Sequence, residues 1–94
     1  MADTPQTRRN DAQHRYEIHV DGRLAGHLAW QDQAGVLEFV HTEIEQGFEG
    51  RGLAGQLVRF ALDDTRRAGR RIKPSCSYVA GWLQRHPEYQ DLVA

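Results

Sequence analysis

The sequence predicts an α+β domain in which a mainly antiparallel four-stranded sheet carries a central helix after its third strand and a short helix near the C-terminus. Three observations carry this. Apolar and polar residues alternate from Arg15 to Ile44, broken by turn signals. A glycine-rich turn, Gly47-Phe48-Glu49-Gly50-Arg51-Gly52, then hands over to apolar residues spaced three and four apart. Finally, 94 residues are one domain, with a core sufficient for one sheet and two helices.

Met1 to His14 is polar, contains Pro5 and has almost no apolar residue larger than alanine, so residues 1–14 are expected to be a disordered tail before a domain at 15–94. The first strand sets Tyr16, Ile18 and Val20 against Glu17, His19 and Asp21, with the second set facing water. Asp21-Gly22 is a hairpin signal. The second strand sets Leu24, Gly26, Leu28 and Trp30 against Ala25, His27, Ala29 and Gln31, and Gln31 to Gly35 forms the next turn. The third strand runs from Val36 to about Ile44. Strict alternation puts Leu37, Phe39, His41 and Glu43 on one side and Val36, Glu38, Val40, Thr42 and Ile44 on the other, so both faces look covered.

Beyond the glycine turn, Leu53, Ala54, Leu57, Val58, Ala61 and Leu62 mark the apolar stripe of a helix, with Arg59, Asp63, Arg66 and Arg67 on its far side. Gly69 suits the left-handed position that ends a helix, and the surrounding arginines complement its negative end. Ile72 to Ser77 is a fourth strand, which Pro74 leaves partly unpaired because it has no N–H to donate. Tyr78 to Arg85 reads as a short helix with Val79, Trp82 and Leu83 inward. Pro87 ends it, and Tyr89, Leu92 and Val93 remain to pack.

Twelve Lys and Arg against thirteen Asp and Glu give a net charge of −1, which provides no global field for nucleic acid or an anionic membrane. No apolar run reaches the roughly 18 residues of a membrane span, and the start Met1-Ala2-Asp3-Thr4-Pro5 lacks a signal pattern, so a soluble cytoplasmic protein is expected. Cys76 is the single cysteine, which excludes an intramolecular disulfide and Cys-x-x-Cys metal sites. The histidines His14, His19, His27 and His86 show no ligand spacing with acids or cysteine, so no metal is expected.

Gly50 and Gly52 allow positive φ and the close approach of a ligand to backbone N–H groups, and the helix that follows points its unpaired first turn at the same place, which suits a phosphate or pyrophosphate. Gly50-Arg51-Gly52-Leu53-Ala54-Gly55 matches G-x-G-x-x-G. A dinucleotide fingerprint needs an acid about 20 residues on, where this chain has Lys73-Pro74-Ser75-Cys76, and no lysine completes a phosphate loop of the Walker type. An ordinary tight turn is the alternative.

The element order and several motifs resemble the GCN5-related N-acetyltransferases, in their small, single-domain YjdJ-like type, a truncated form of that fold. The motifs are Gly50-Arg51-Gly52 with Ala54 for the family's Q/R-x-x-G-x-G/A turn, His41-Thr42-Glu43-Ile44 at a strand end, Pro74-Ser75-Cys76-Ser77-Tyr78, and His86-Pro87-Glu88-Tyr89. The Gln/Arg position falls on Gly47, with Gln46 one residue off. The likeness covers Arg15 to Ala94. It implies acetyl-CoA as co-substrate, without a metal, and transfer of acetyl to an amine. The N–H groups of Glu49, Gly50, Arg51, Gly52, Leu53, Ala54 and Gly55 would hold pyrophosphate, Arg51 would pair with a phosphate, and Thr42, Glu43 and Ile44 would offer backbone partners to pantetheine.

Two side chains are candidates for catalysis. Cys76 stands at a helix start, where the thiolate form is favoured, and either accepts the acetyl group or is small buried packing. His41, on the face assigned to Leu37 and Phe39, is either a base in a partly apolar pocket or a core histidine. The tyrosine that larger members place in the last helix to protonate the leaving thiolate is missing from Trp82-Leu83-Gln84, with Tyr78 as a substitute. The tight crossing from Val20 to Leu24 leaves out the helices that wall the acceptor pocket in those members. A polypeptide acceptor or a second subunit would then complete the site, in a monomer or weak dimer. The arginines 66, 67, 70 and 71 read as a solvated helix end or a docking patch. The reading from another class is a CoA-binding or protein-interaction module with little turnover.

Overall fold

The computed structural model describes residues 4–94, and five strands and two α-helices run in the order β1 (Gln6–Asn10), β2 (Arg15–Val20), β3 (Arg23–Gln33), β4 (Val36–Ile44), α1 (Leu53–Arg67), β5 (Arg71–Pro74) and α2 (Ser77–Arg85), closed by a 3-10 turn over Pro87–Leu92. The strands lie in chain order across one mixed sheet. Strands β1 to β4 form an antiparallel meander, and β5 runs parallel to β4 with α1 as the crossover. Among the described residues no helix is long and apolar enough to cross a membrane.

The sheet therefore has five strands rather than the expected four, because β1 forms inside the segment expected to be a tail; residues 1–3 lie outside the described residues. Apolar content could not reveal it, since polar groups hold it. Its ladder to β2 runs from Gln6 opposite His19 to Asn10 opposite Arg15. Arg8 Nε donates to Glu17 Oε1 at 3.1 Å, Asn10 Nδ2 to Glu17 Oε2 at 2.8 Å, and Arg9 Nη1 to Asp64 Oδ2 at 2.9 Å, tying the strand to α1 as well. The connecting turn is pinned by Trp30, whose N–H donates to the His14 carbonyl at 2.9 Å and whose ring stacks on the His14 imidazole.

Glu17, expected to face water, is buried. Besides Arg8 and Asn10, it accepts from Arg15 Nε at 2.8 Å and sits 2.9 Å from His19 Nε2. Burial pushes its carboxyl up, but the hydrogen bonds from His19, Asn10, Arg15 and Arg8 outweigh that and hold it well below the usual carboxylate range.

Both predicted hairpins close through positive-φ pairs, Asp21-Gly22 at 52° and 74° and Ala34-Gly35 at 53° and 88°, as two-residue hairpin turns require. The second turn is confined to Ala34-Gly35, so β3 continues to Gln33. The helix α1 ends as expected on Gly69 at φ 69°: the Gly69 N–H donates to the Arg66 carbonyl and the Arg70 N–H to the Thr65 carbonyl, which satisfies two of the last carbonyls. One hydrophobic cluster joins both helices to the sheet. It contains Tyr16, Ile18, Leu28, Phe39 and Ile72 from the strands, Leu57, Val58 and Leu62 from α1, and Val79, Trp82 and Leu83 from α2.

A bulge decides what the two faces of β4 carry. Trp30 pairs with Phe39 and Ala29 with His41, so Val40 is an extra residue without a partner. Leu37 and Phe39 stay on the helix side with Trp30. Beyond the bulge the faces exchange: Thr42 lies opposite Leu28 and Ile44 opposite Gly26 on the helix side, while His41 and Glu43 turn to the other face. This corrects the expectation that His41 and Glu43 share the side of Leu37 and Phe39. Val36 and Val40 are only half-buried, so that second face is not covered as fully as expected.

Candidate functional site

The glycine turn follows directly from the end of β4. Glu45 N–H donates to the Ala25 carbonyl at 2.7 Å and Phe48 N–H to the Glu45 carbonyl at 3.1 Å, which fixes the entry to the turn on β3. Gly50 and Gly52 have φ of 76° and 75°, conformations that disfavour a side chain, and the space where a Cβ would stand is open at both. Gly52 is the N-cap of α1, with no side-chain cap. Between Gly47, whose N–H is bound by the Glu49 carboxylate, and Gln56, whose N–H donates to the Gly52 carbonyl, the N–H groups of Glu49, Gly50, Gly52, Leu53, Ala54 and Gly55 have no hydrogen-bond partner among the described residues, while a turn at Glu49-Gly50 directs the Arg51 N–H to the Phe48 carbonyl. They lie at the positive end of a fifteen-residue helix.

Two guanidinium groups flank this turn. Arg51 lies 5.3 Å from the centre of the Phe48 ring and Arg23 5.5 Å from it. With Val20, Asp21, Gln46 and Gly47 they line a shallow depression of about 210 Å³. Arg51 was anticipated from the sequence and Arg23 was not: it is brought to the turn by the β2–β3 hairpin, and no local pattern marks it.

The pairing of β4 with β5 stops at Phe39 opposite Pro74, whereas β4 continues to Ile44. The strand expected over Ile72 to Ser77 is thus the shorter β5, which ends at Pro74. After Pro74 the chain bends, and the Cys76 N–H returns to the Phe39 carbonyl at 2.8 Å before α2 begins. Past that point the β5-side edge of β4, from His41 to Ile44, has no neighbouring strand among the described residues.

Cys76 and Thr42 come together: the thiol is 3.4 Å from the Thr42 hydroxyl, and the cysteine is 8% exposed. Cys76 and His41 do not. Thr42 is on the helix side, so its neighbour His41 projects from the opposite face, where its side chain is 59% exposed and its Nε2 is 3.2 Å from Glu43 Oε1. His41 is neither in an apolar pocket nor beside the thiol.

Tyr78 stands out as an exposed large aromatic residue on α2. A Cβ placed on Gly55 would be 3.8 Å from the Tyr78 hydroxyl and 3.5 Å from Trp82 Nε1, so the phenol lies against the first turn of α1. On the open face, His27 is directly opposite Glu43 in the β3–β4 ladder. Burial, followed by the positive charge of Arg15, holds its imidazole below the ordinary histidine value against the pull of Glu43.

Unpaired N–H groups at a helix start with a phenol beside them, and a strand edge left open by a neighbour that ends early with an imidazole and a thiol on its two sides, suit the binding of an anionic, extended ligand and an acyl or proton transfer at its end. The model of the GCN5-related N-acetyl-transferase family matches residues 15–92. No curated protein matches the chain. Among solved structures, a GCN5-like protein from Staphylococcus aureus of the N-acetyltransferase type is 17% identical with a TM-score of 0.73, the match covering 100% of this chain and 91% of that one. The ribosomal-protein-alanine N-acetyltransferase from Brucella melitensis biovar Abortus 2308 is 18% identical with a TM-score of 0.58, covering 85% of this chain and 60% of that one, so the present chain spans only about three fifths of it.

Proposed function

Because the chain belongs to the GCN5-related N-acetyltransferase family, we propose that it binds acetyl-CoA at the glycine turn and transfers the acetyl group to an amine. The observation that carries this reading is the set of unpartnered N–H groups of Glu49, Gly50, Gly52, Leu53, Ala54 and Gly55 at the start of α1. Pyrophosphate supplies acceptors for such donors and charge for the helix end. Arg51 and Arg23 would add cationic partners, and the unpaired edge of β4 from Thr42 to Ile44 would offer hydrogen bonds to pantetheine. The co-substrate supplies an activated acyl group; the remaining work falls to the chain.

The acceptor reaches the open face of the sheet, where His41 takes the amine proton and Glu43, 3.2 Å away, orients the imidazole and balances its charge. As nitrogen bonds to the acetyl carbon, the carbon–sulfur bond breaks, and Tyr78 is the group that returns a proton to sulfur. Among the described residues both helices pack into the core on the other face of the sheet from the exposed His41 and Glu43, and the β2–β3 connection is a tight turn, which suits a polypeptide acceptor that brings its own surface.

A second reading rests on the contact between Cys76 and Thr42. The Cys76 thiol gives up its proton and attacks the acetyl carbon, displacing CoA thiolate, which takes up that proton; the amine then attacks the new thioester, the bond from acetyl carbon to Cys76 sulfur breaks, and the amine proton returns to the Cys76 sulfur. The separation of His41 from Cys76 favours direct transfer over this relay.

A thermal shift with CoA and with dephospho-CoA tests the site. Both ligands should raise Tm, because binding to the native state alone adds RT ln(1 + [L]/Kd). Gly52→Asp should abolish the shift through charge repulsion and a blocked approach. Gly69→Asp imposes similar backbone strain at φ 69° away from the site and should keep it. A CoA shift that survives in Gly52→Asp removes the site.

A further inference from the structure

No spacing along the chain links His27, His41 and Glu43, but the β3–β4 ladder does. His27 and Glu43 face each other across the strands, and His41 is two residues from Glu43 on the same face because of the bulge at Val40. One nitrogen from each histidine and one oxygen from the carboxylate all lie within 4.8 Å of one another. The imidazole rings are 6.0 Å apart, centre to centre. The Nδ1 atom of His27 is buried and has no hydrogen-bond partner, which is costly for a polar atom in a folded protein.

We infer that His27, His41 and Glu43 form a binding site for a divalent transition-metal ion on the helix-free face of the sheet. Two imidazoles and a carboxylate are the donor set of three-ligand zinc sites that keep a fourth position open, and nitrogen ligands select zinc, nickel or copper over magnesium and calcium. An ion with bonds of about 2.1 Å holds tetrahedral ligands about 3.4 Å apart, so the three groups must draw in. His41 and Glu43 are already paired at 3.2 Å and both side chains are exposed, so they can move together toward His27, whose backbone is held in β3. Arg15 is the positive charge that acts most strongly on His27, and its Nε is engaged by Glu17 at 2.8 Å.

An ion held there would engage His41 and Glu43, so a metal-loaded chain would not use His41 as the base of direct transfer; the test reads binding alone. Calorimetric titration of the full chain with Zn²⁺ should show one equivalent bound, with Mg²⁺ giving no heat under the same conditions. His41→Ala and Glu43→Gln alter exposed side chains and should each weaken binding by about tenfold or more, as loss of one of three ligands requires. Co²⁺ should give the visible absorption of a tetrahedral nitrogen–oxygen site, without a sulfur-to-cobalt charge-transfer band. Absence of Zn²⁺ binding, an affinity unchanged in either variant, equal binding of Mg²⁺, or a charge-transfer band that disappears in Cys76→Ala would each overturn the assignment.

Discussion

The thiol of Cys76 rests 3.4 Å from the hydroxyl of Thr42, on the opposite side of β4 from His41. A thiol so placed has a hydroxyl to meet and no imidazole to take its proton, which separates the two candidate routes. With direct transfer, Cys76→Ala keeps CoA affinity and retains kcat within about twofold, because only a small packing group is lost. Mass spectrometry of the wild type after incubation with acetyl-CoA alone should then show no hydroxylamine-labile acetyl group on Cys76. Such labelling, passed to the acceptor at the rate of turnover and lost with activity in the alanine variant, would establish the relay instead.

His41 and Tyr78 separate proton uptake from proton delivery. His41→Gln should lower kcat by about a hundredfold or more, the usual scale for a general base, with KM for acetyl-CoA unchanged. Tyr78→Phe should slow transfer from acetyl-CoA more than from a thioester whose thiol is more acidic, since a better leaving group needs less help from the phenol. Steady-state kinetics with the two donors reads the difference, and equal slowing with both removes Tyr78 from the acid role.

Gly26 sits where the end of β4 presses against β3. A Cβ there would lie 2.9 Å from the Glu43 carbonyl and 2.6 Å from Ile44 Cδ1, and the backbone oxygen cannot step aside as a side chain can. Gly26→Ala should cost about 1 to 3 kcal/mol, the range for forced overpacking. Urea unfolding measures this. The same change should reduce transfer through displacement of the end of β4, whereas Gly22→Ala, at a turn with open space, should affect stability alone.

Acid should act through Glu17. Its carboxyl titrates well below the usual range in the folded protein, so between that range and its folded value the unfolded chain binds more protons. The stabilisation is complete above the ordinary glutamate value of about 4.3 and is lost as pH falls toward the folded value. Glu17→Gln should be less stable at neutral pH and should show a shallower decline in urea midpoint through the acid range. An unchanged acid profile would show that the cluster of Arg8, Asn10, Arg15 and His19 does not hold the charge.

The three central strands, both hairpins and α1 could be read from the sequence because each is encoded locally: alternation around Ile18 and Leu28, Asp21-Gly22 at a turn, Leu57 and Leu62 on one helix face, Gly69 after the last turn. The glycine turn was legible for the same reason. What escaped depends on partners distant in sequence. The strand β1 is stabilised by Glu17 and Asp64 rather than by apolar residues of its own. The bulge at Val40 leaves no trace in the alternation, because valine is at home on either face, yet it moves His41 and Glu43 across the sheet. Arg23 and His27 acquire their neighbours only when β3 pairs on both sides.

The polar strand β1 also shields its neighbour. The family match begins at Arg15, and a chain shortened to that point would leave β2 as the outermost strand, with a free row of N–H and C=O groups beside Tyr16, Ile18 and Val20 and with Glu17 stripped of Arg8 and Asn10. Such an edge invites another chain to add to it. In the full chain that position is taken by a short strand bearing Arg8, Arg9 and Asn10, whose charge and brevity discourage further addition. The residues that add least to the hydrophobic core would then decide whether the protein remains dispersed or self-associates.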